Sequence, residues 1–349
     1  MKSTLTWDTL NSYINTDLIN PSKIHHEHKE RMLRSKYDNI SVHVKIDKYE
    51  YVYSRFNLSR YLLACQVPSS IALDIPRKIK KDLIDTKRYE VTQDELTAMV
   101  FERLSKADGS EILQQRFKLI QRFNLERVPL IILITGTGFI GKPSLAFQLG
   151  ERLNISTILQ TSIVNSLTNG TNDHMNSKFW NTAYASTEDF IHAYQTDCNI
   201  AISGIAGDIT KTLTDGKPLI IEGIHLDPTN FLKLCGGNSL IPLDCFKVDN
   251  MSKIANGKMG FILPICVTKP KQIIDESIRC SLLFTSGKGN CGDRICQIQH
   301  NAHKLQELLA SKFPPQYIID ISSITDAIDK IHSIFLTELT KFYASEDTK

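Results

Sequence analysis

The sequence predicts an α/β protein: a mostly parallel sheet with helices on both faces, preceded by a smaller, mainly helical unit. Three observations predict it. From residue 130 onward, short apolar runs alternate with longer amphipathic ones, the pattern of successive strand–helix–strand units. The run Val128-Pro-Leu-Ile-Ile-Leu-Ile-Thr-Gly-Thr-Gly-Phe-Ile-Gly-Lys-Pro-Ser144 places a buried-strand pattern, a glycine-rich turn and a helix start in succession. Residues 41–125 carry one hairpin pattern followed by four helical segments, a unit of small-domain size.

Taken in order, residues 1–40 are polar and weakly patterned, with helical segments expected at 6–14 and 26–35. Ser41-Val-His-Val-Lys-Ile46 alternates apolar and polar residues as a half-buried strand does, Asp47-Lys48 reads as a turn, and Tyr49-Glu-Tyr-Val-Tyr53 returns as a second strand. Helices are expected at 58–65, 69–83, 92–105 and 111–123, the third fixed at its start by the capping box Thr92-Gln-Asp-Glu95. Asn124 to Pro129 links this part to the glycine-loop strand. Beyond it, strands are expected at 130–135, 156–160, 217–222, 260–267 and 316–321, and helices at 144–152, 187–213, 269–282, 293–311 and 324–343. The expected division is a polar segment at 1–40, a helical domain at 41–125 and a sheet domain at 126–349.

The 349 residues are 42% hydrophobic and 23% charged, ordinary for a soluble globular chain. A net charge of +3 gives no ground for a nucleic-acid partner, and no apolar run is long enough to span a membrane. Eight cysteines form no C-x-x-C pair and no zinc spacing. With no secretory signal at Met1-Lys-Ser-Thr4, they are expected to be reduced thiols of a cytoplasmic or nuclear protein. His25-His26-Glu-His28 is the one histidine cluster, and its polar setting favours a solvated loop over a metal site.

In an open parallel sheet the ligand sits beyond the carboxyl ends of the strands. That rule gathers 136–142, 160–164 and 222–227 around one crevice. Gly136, Gly141 and Lys142 fit the P-loop spacing G-x-x-x-x-G-K, while Gly136, Gly138 and Gly141 also fit the dinucleotide spacing G-x-G-x-x-G. Both readings put backbone N–H groups, here including Thr137, and a helix N-terminus against a phosphate. A lysine at a helix start is locally unfavourable without an anion, so Lys142 points to a bound phosphate. Pro143 stands where a P-loop carries Ser or Thr, and lacks the hydroxyl that would ligate Mg²⁺. Ser144 has a hydroxyl, turned about 100° round the helix.

The strand in Lys217-Pro-Leu-Ile-Ile-Glu-Gly-Ile-His-Leu-Asp227 ends in Glu222, aimed at the crevice, where a carboxylate orders a magnesium water or acts as a base. Thr161, Asp208, His225 and Arg294 are the candidate substrate residues; each alone is as readily a structural or solvated side chain.

Four stretches together resemble archaeal 2-phosphoglycerate kinases and their eukaryotic relatives, the plant low-phytic-acid P-loop proteins. They are Gly136 to Ser144, Leu159-Gln-Thr-Ser-Ile-Val164, Gly204-Ile-Ala-Gly-Asp208, and Asp215-Gly-Lys-Pro-Leu-Ile-Ile-Glu-Gly-Ile-His-Leu-Asp-Pro228. The resemblance runs from about residue 40 to 345 and implies a P-loop kinase fold behind an ATP-cone-like domain. It also implies ATP and Mg²⁺ as cofactors and a small phosphorylated or polyol metabolite as substrate. Lys142 and Glu222 match the family's phosphate lysine and the acid closing its Walker-B-like strand. Two positions depart from its pattern: Pro143 replaces a serine, and the second strand ends in Thr161-Ser162 instead of Thr-Asp.

Three readings follow. The first is an ATP-dependent phosphotransferase with a degenerate Walker A loop. The second is a nucleotide-binding pseudokinase or regulatory protein, for which Pro143 and Ser162 are the grounds. The third is an NAD-dependent oxidoreductase, which lacks both an acidic or basic residue ending the second strand and a Tyr-x-x-x-Lys pair.

Overall fold

The computed structural model describes residues 36–106, 110–169, 178–229, 261–285 and 292–346. The helices expected at 6–14 and 26–35 and the histidine cluster lie outside them. The chain divides into two compact units, Met1–Phe56 with Leu73–Lys106, and Asn57–Ala72 with Ala107–Lys349. Among the described residues no helix is long and apolar enough to cross a membrane.

The described part of the first unit opens with α1 (Lys36–Asn39) and the hairpin β1 (His43–Ile46) and β2 (Tyr49–Val52), antiparallel, with Asp47 in the left-handed conformation at φ 46. Aspartate tolerates that conformation well, which is why Asp47-Lys48 turns the chain. A strand that periodicity did not mark, β3 (Glu90–Thr92), pairs parallel to β1 and gives the order β2-β1-β3. Its three residues are too few to show alternation. It ends directly in α4 (Gln93–Leu104), where Thr92 Oγ1 accepts from Glu95 N and the Glu95 carboxylate accepts from Thr92 N. Two helices, α2 (Arg55–Ala64) and α3 (Ser69–Asp85), run across the division between the units.

Among the described residues the second unit is built on five parallel strands: β4 (Leu130–Thr135), β5 (Ile158–Gln160), β6 (Pro218–Gly223), β7 (Phe261–Thr268) and β8 (Ile318–Asp320). Their order is β5-β6-β4-β7-β8, all pairs parallel. The glycine-loop strand β4 is therefore central, and all six of its residues are buried. That is why it reads as a continuous apolar run instead of an alternating one.

Helix α5 (Ser110–Glu126) precedes the sheet's first strand, α6 (Lys142–Leu153), α7 (Thr161–Asn169), α8 (Lys178–Asn181), α9 (Thr187–Asp215), α10 (Lys271–Thr285) and α11 (Gly292–Ser311) lie between its strands in sequence, and α12 (Ile324–Glu346) follows its last. On one face Ile205, Ile209 and Leu213 of α9 pack on Ile131, Leu133, Leu219 and Ile221 of the sheet. Such side chains each contribute about 1.5–3 kcal/mol on full burial. Helix α6 packs on β4, β5 and β6, and α12 packs on α6. Helix α9 starts at Ser186, whose Oγ accepts from Asp189 N, and stops at Gly216 in the left-handed conformation.

Candidate functional site

The loop from Gly136 to Gly141 joins the carboxyl end of β4 to α6. Gly141 caps α6 at φ 91, a conformation that a side chain adopts only with strain, and no side chain bonds the helix's first amides. Gly136 is needed for space: a Cβ there would lie 2.5 Å from the carbonyl oxygen of Val267 on β7. Thr137 is fully buried and turned inward, its Oγ1 donating to Ala302 O at 2.8 Å. The buried Thr135 Oγ1 finds no hydrogen-bond partner among the described residues.

Lys142 is buried, and its Nζ donates to Thr137 O at 2.6 Å, curling back into its own loop. Burial pulls its pKa down to about 8, and the charge of Glu222 works in the opposite direction. Glu222, on β6 opposite Ile134 of β4 and Gln160 of β5, is 2% exposed. Burial pushes its carboxyl upward, with Lys142 acting against that. A cation and an anion thus share one desolvated corner without a direct ion pair.

Behind Glu222 the chain makes a close junction. Helix α7 begins at Thr161 with no loop after β5, and a Cβ on Gly223 would lie 1.7 Å from Thr161 Oγ1. Only glycine permits this approach. It brings His225 Nδ1 to 3.0 Å from Thr161 Oγ1, and His225 Nε2 to 3.4 Å from Asn165 Nδ2. If Asn165 donates to Nε2, the ring proton lies on Nδ1 and is donated to Thr161. Farther along, buried Asp227 pairs with Lys312 and accepts from Thr229 N at 2.9 Å, while Tyr194 donates to Ile224 O at 2.7 Å. These contacts fix the segment that leaves β6.

A cleft of about 210 Å³ opens between the loop and this junction. Gly138, Lys142, Glu222 and His225 line it, as do Pro143 and Ser162, the two positions that depart from the kinase pattern. Thr161 stands behind its wall and holds His225. Three expected residues fall elsewhere. Ser144 is exposed and outside the lining, as its rotation round α6 requires. Asp208 is exposed on α9, two turns from the end that leads into β6, and so at the opposite end of the strands from the loop. Arg294, in the first turn of α11, donates from Nε to Asn181 Oδ1 at 2.8 Å and does not line the cleft.

Sequence reasoning missed Phe139, Asn165 and Trp180, which line the cleft too. Phe139 is a left-handed non-glycine residue at φ 63, invisible to a motif that leaves its position open. Asn165 lies on α7, which follows β5 with no turn residue to mark its start.

A five-stranded parallel sheet with a glycine loop and buried lysine after its central strand defines a P-loop kinase-type fold. The dinucleotide-binding alternative sets the second strand beside the first. Here β6, the third strand of the sheet in chain order, occupies that place and β5 lies at the edge.

No family model matches the chain. Among curated proteins it is similar to a 2-phosphoglycerate kinase of Methanopyrus kandleri, 27% identical over 200 residues that cover 54% of this chain and 60% of that protein. A 2-phosphoglycerate kinase of Methanococcus vannielii is 26% identical over 200 residues, covering 53% and 63%. One of Pyrococcus horikoshii is 26% identical over 207 residues, covering 56% and 68%. The chain thus spans under two thirds of the length of the first two. Solved structures that align with it include a gluconokinase from Sinorhizobium meliloti 1021, at 11% identity and TM-score 0.31, over 64% of this chain and 98% of that one. A tunicamycin resistance protein of Deinococcus radiodurans aligns at 14% identity and TM-score 0.33, over 60% and 95%. Alignments this loose carry no argument about function.

Proposed function

We propose that the chain is an ATP-dependent phosphotransferase of the 2-phosphoglycerate kinase type, acting on a small phosphorylated or polyol metabolite. The observation that carries this reading is the corner shared by Lys142 and Glu222, at the mouth of a glycine loop and in one cleft. The residues fit a nucleotide's phosphates. The α6 amides are open to an anion, the lysine is desolvated, and the buried Thr135 hydroxyl is unpartnered. Magnesium fits less fully: Glu222 would hold it through water, while Pro143 removes the hydroxyl ligand of the first helical turn. When bound, the ion neutralises charge on the transferring phosphoryl group.

The chain's own residues would divide the work as follows. The loop amides and the Lys142 ammonium hold the β- and γ-phosphates. Glu222, its proton affinity raised by burial, accepts the proton of the acceptor hydroxyl as that oxygen bonds to phosphorus and the bond to the ADP oxygen breaks. His225, fixed by Thr161, presents a ring edge beside the acceptor. The same reading takes the 41–125 segment as ATP-cone-like and the location as the cytoplasm, with residues 57–72 and 107–125 of that segment counted in the compact unit that holds the sheet.

Isothermal titration with ATP, with and without Mg²⁺, tests this. Wild type is expected to bind ATP. Lys142→Ala is expected to bind about 100-fold more weakly, roughly 2.7 kcal/mol, with an unchanged melting temperature. Unchanged affinity would take the loop out of the site.

A second reading is favoured by Pro143: a nucleotide-binding regulatory protein without turnover. Pro143→Ser separates the two. The variant is expected to raise magnesium-dependent phosphoryl transfer to 2-phosphoglycerate by about tenfold, worth roughly 1.4 kcal/mol of transition-state stabilisation. If wild type already turns over and the variant is no better, Pro143 is not a defect. If neither turns over while both bind ATP, the regulatory reading stands.

A further inference from the structure

One wall of the cleft is aromatic, and it is not held by its own helix. Trp180 lies on α8, a four-residue helix too short to fix itself. The anchor is Asn301, buried in α11. Its side-chain amide reaches Phe179 O at 3.3 Å, Trp180 O at 3.0 Å and Thr182 O at 3.0 Å, so two N–H protons serve three carbonyls. Its Oδ1 accepts from Gln297 Nε2 at 3.2 Å. The next residue, Ala302, accepts from Thr137 Oγ1 in the phosphate loop. Two consecutive residues of one helix therefore hold both the aromatic wall and the loop.

Wall and loop also touch directly. A Cβ on Gly138 would lie 3.0 Å from Trp180 Cζ2, so the indole rests on the loop backbone. The rings of Phe139 and Trp180 meet edge-on, with centroids 5.8 Å apart. Across the cleft stand the polar groups of Glu222 and His225. The arrangement suits an acceptor that turns a hydroxyl toward Glu222 and His225 and carbon-bound surface toward the indole.

We infer that Asn301 is a positioning residue that locks Trp180 to the phosphate loop, so that nucleotide at the loop resets the aromatic wall of the acceptor cleft. The inference rests on the phosphotransferase reading above and deepens it, since it couples the nucleotide side of the site to the acceptor side.

Tryptophan fluorescence reads this coupling without any acceptor. The chain has two tryptophans, so Trp7→Phe leaves Trp180 as the sole emitter. ATP with Mg²⁺ is the probe, and calorimetry on the same protein gives an independent dissociation constant. The expected result is a change in Trp180 emission and in its quenching by acrylamide that saturates with the calorimetric constant. In Asn301→Asp, which keeps the side-chain shape and loses both donors, the calorimetric constant is expected to stay within about threefold while the emission change is lost. Asn301→Leu is expected to behave the same way. Circular dichroism establishes that each variant is folded, and if one variant is not, the other decides.

ATP binding in wild type without any Trp180 response overturns the inference and leaves the phosphotransferase reading intact. A full response in a folded Asn301 variant assigns the residue a purely structural role and overturns it too. Absence of ATP binding by calorimetry overturns the reading and the inference together.

Discussion

Lys142 is held in a conformation that a charged amine does not choose unaided. Its pKa is pulled from 10.5 to about 8 by burial, and its Nζ donates to a carbonyl of its own loop. Between these values the unfolded chain binds more protons than the folded one, so this group's contribution to stability rises as pH climbs from about 8 to 10.5. On the proposed reading phosphate binding has the opposite dependence, because it would require the ammonium. ATP binding at pH 8 is therefore expected to take up a proton at Lys142 and to weaken as pH rises above that value. Calorimetry in buffers of differing ionisation enthalpy measures the uptake, which should fall away near about pH 6, where the amine is already charged. Glu222→Gln removes the charge that supports the ammonium and should move the whole edge to lower pH. Affinity that stays flat across pH 8 would show that the amine does not meet the phosphate. This residue was legible because G-x-x-x-x-G-K fixes a lysine by spacing alone. Trp180 and Asn165 were not, because their place in the cleft depends on which helix brings them back, and no local spacing records that.

At the scale of elements, the junction of β5, α7 and β6 decides what the cleft contains. All five strands of the sheet were legible to within two residues at either end, and the central β4 most sharply, because a strand buried on both faces reads as a continuous apolar run. The last, β8 (Ile318–Asp320), is shorter than expected because Pro315–Tyr317 forms a 3-10 turn. The helix α7 was missed for a definite reason: it follows Gln160 with no turn residue, so nothing in Leu159-Gln-Thr-Ser-Ile-Val164 marks the change from strand to helix. The glycine that makes the junction possible stands on the neighbouring strand, far away in sequence. Gly223→Ala tests its role. The new methyl meets Thr161 Oγ1, on a fully buried residue that starts a helix and has little room to retreat. The expected cost is about 1–3 kcal/mol of stability, the range for overpacking, read from urea unfolding. The Thr161–His225 contact should be lost with it. Gly223→Ala combined with Thr161→Ala should recover part of the stability. A single variant as stable as wild type would mean that the junction yields easily and does not position His225.

For the whole molecule, the compact units do not follow one cut along the chain. Residues 57–72 belong with the sheet, although the sequence runs from them into the other unit and back. Periodicity marks the longer helices but not such an excursion, so those helices were legible and their allegiance was not. The tie is specific. His332 of α12 is fully buried, its Nε2 is 2.8 Å from Ala64 O of α2, and its Nδ1 has no partner among the described residues. Burial draws its pKa from 6.5 down to about 4, the Ala64 carbonyl opposes that shift, Arg152 and Arg116 add to it, and Asp329 opposes it. The unfolded chain therefore takes up a proton at this histidine between those two values and the folded chain does not. Stability from this group is complete above about pH 6.5 and is lost as pH falls toward 4, by about 2 kcal/mol at pH 5. Urea unfolding at pH 7 and pH 5 measures the loss. His332→Gln, which keeps a side-chain amide to meet Ala64 O but cannot titrate, is expected to start less stable and to lose about 2 kcal/mol less over the same interval. If the variant lost as much as wild type, the acid sensitivity would come from other groups. His332 would then hold the 57–72 segment within its unit by packing alone, and that segment would owe its place to apolar contact rather than to a buried, neutral imidazole.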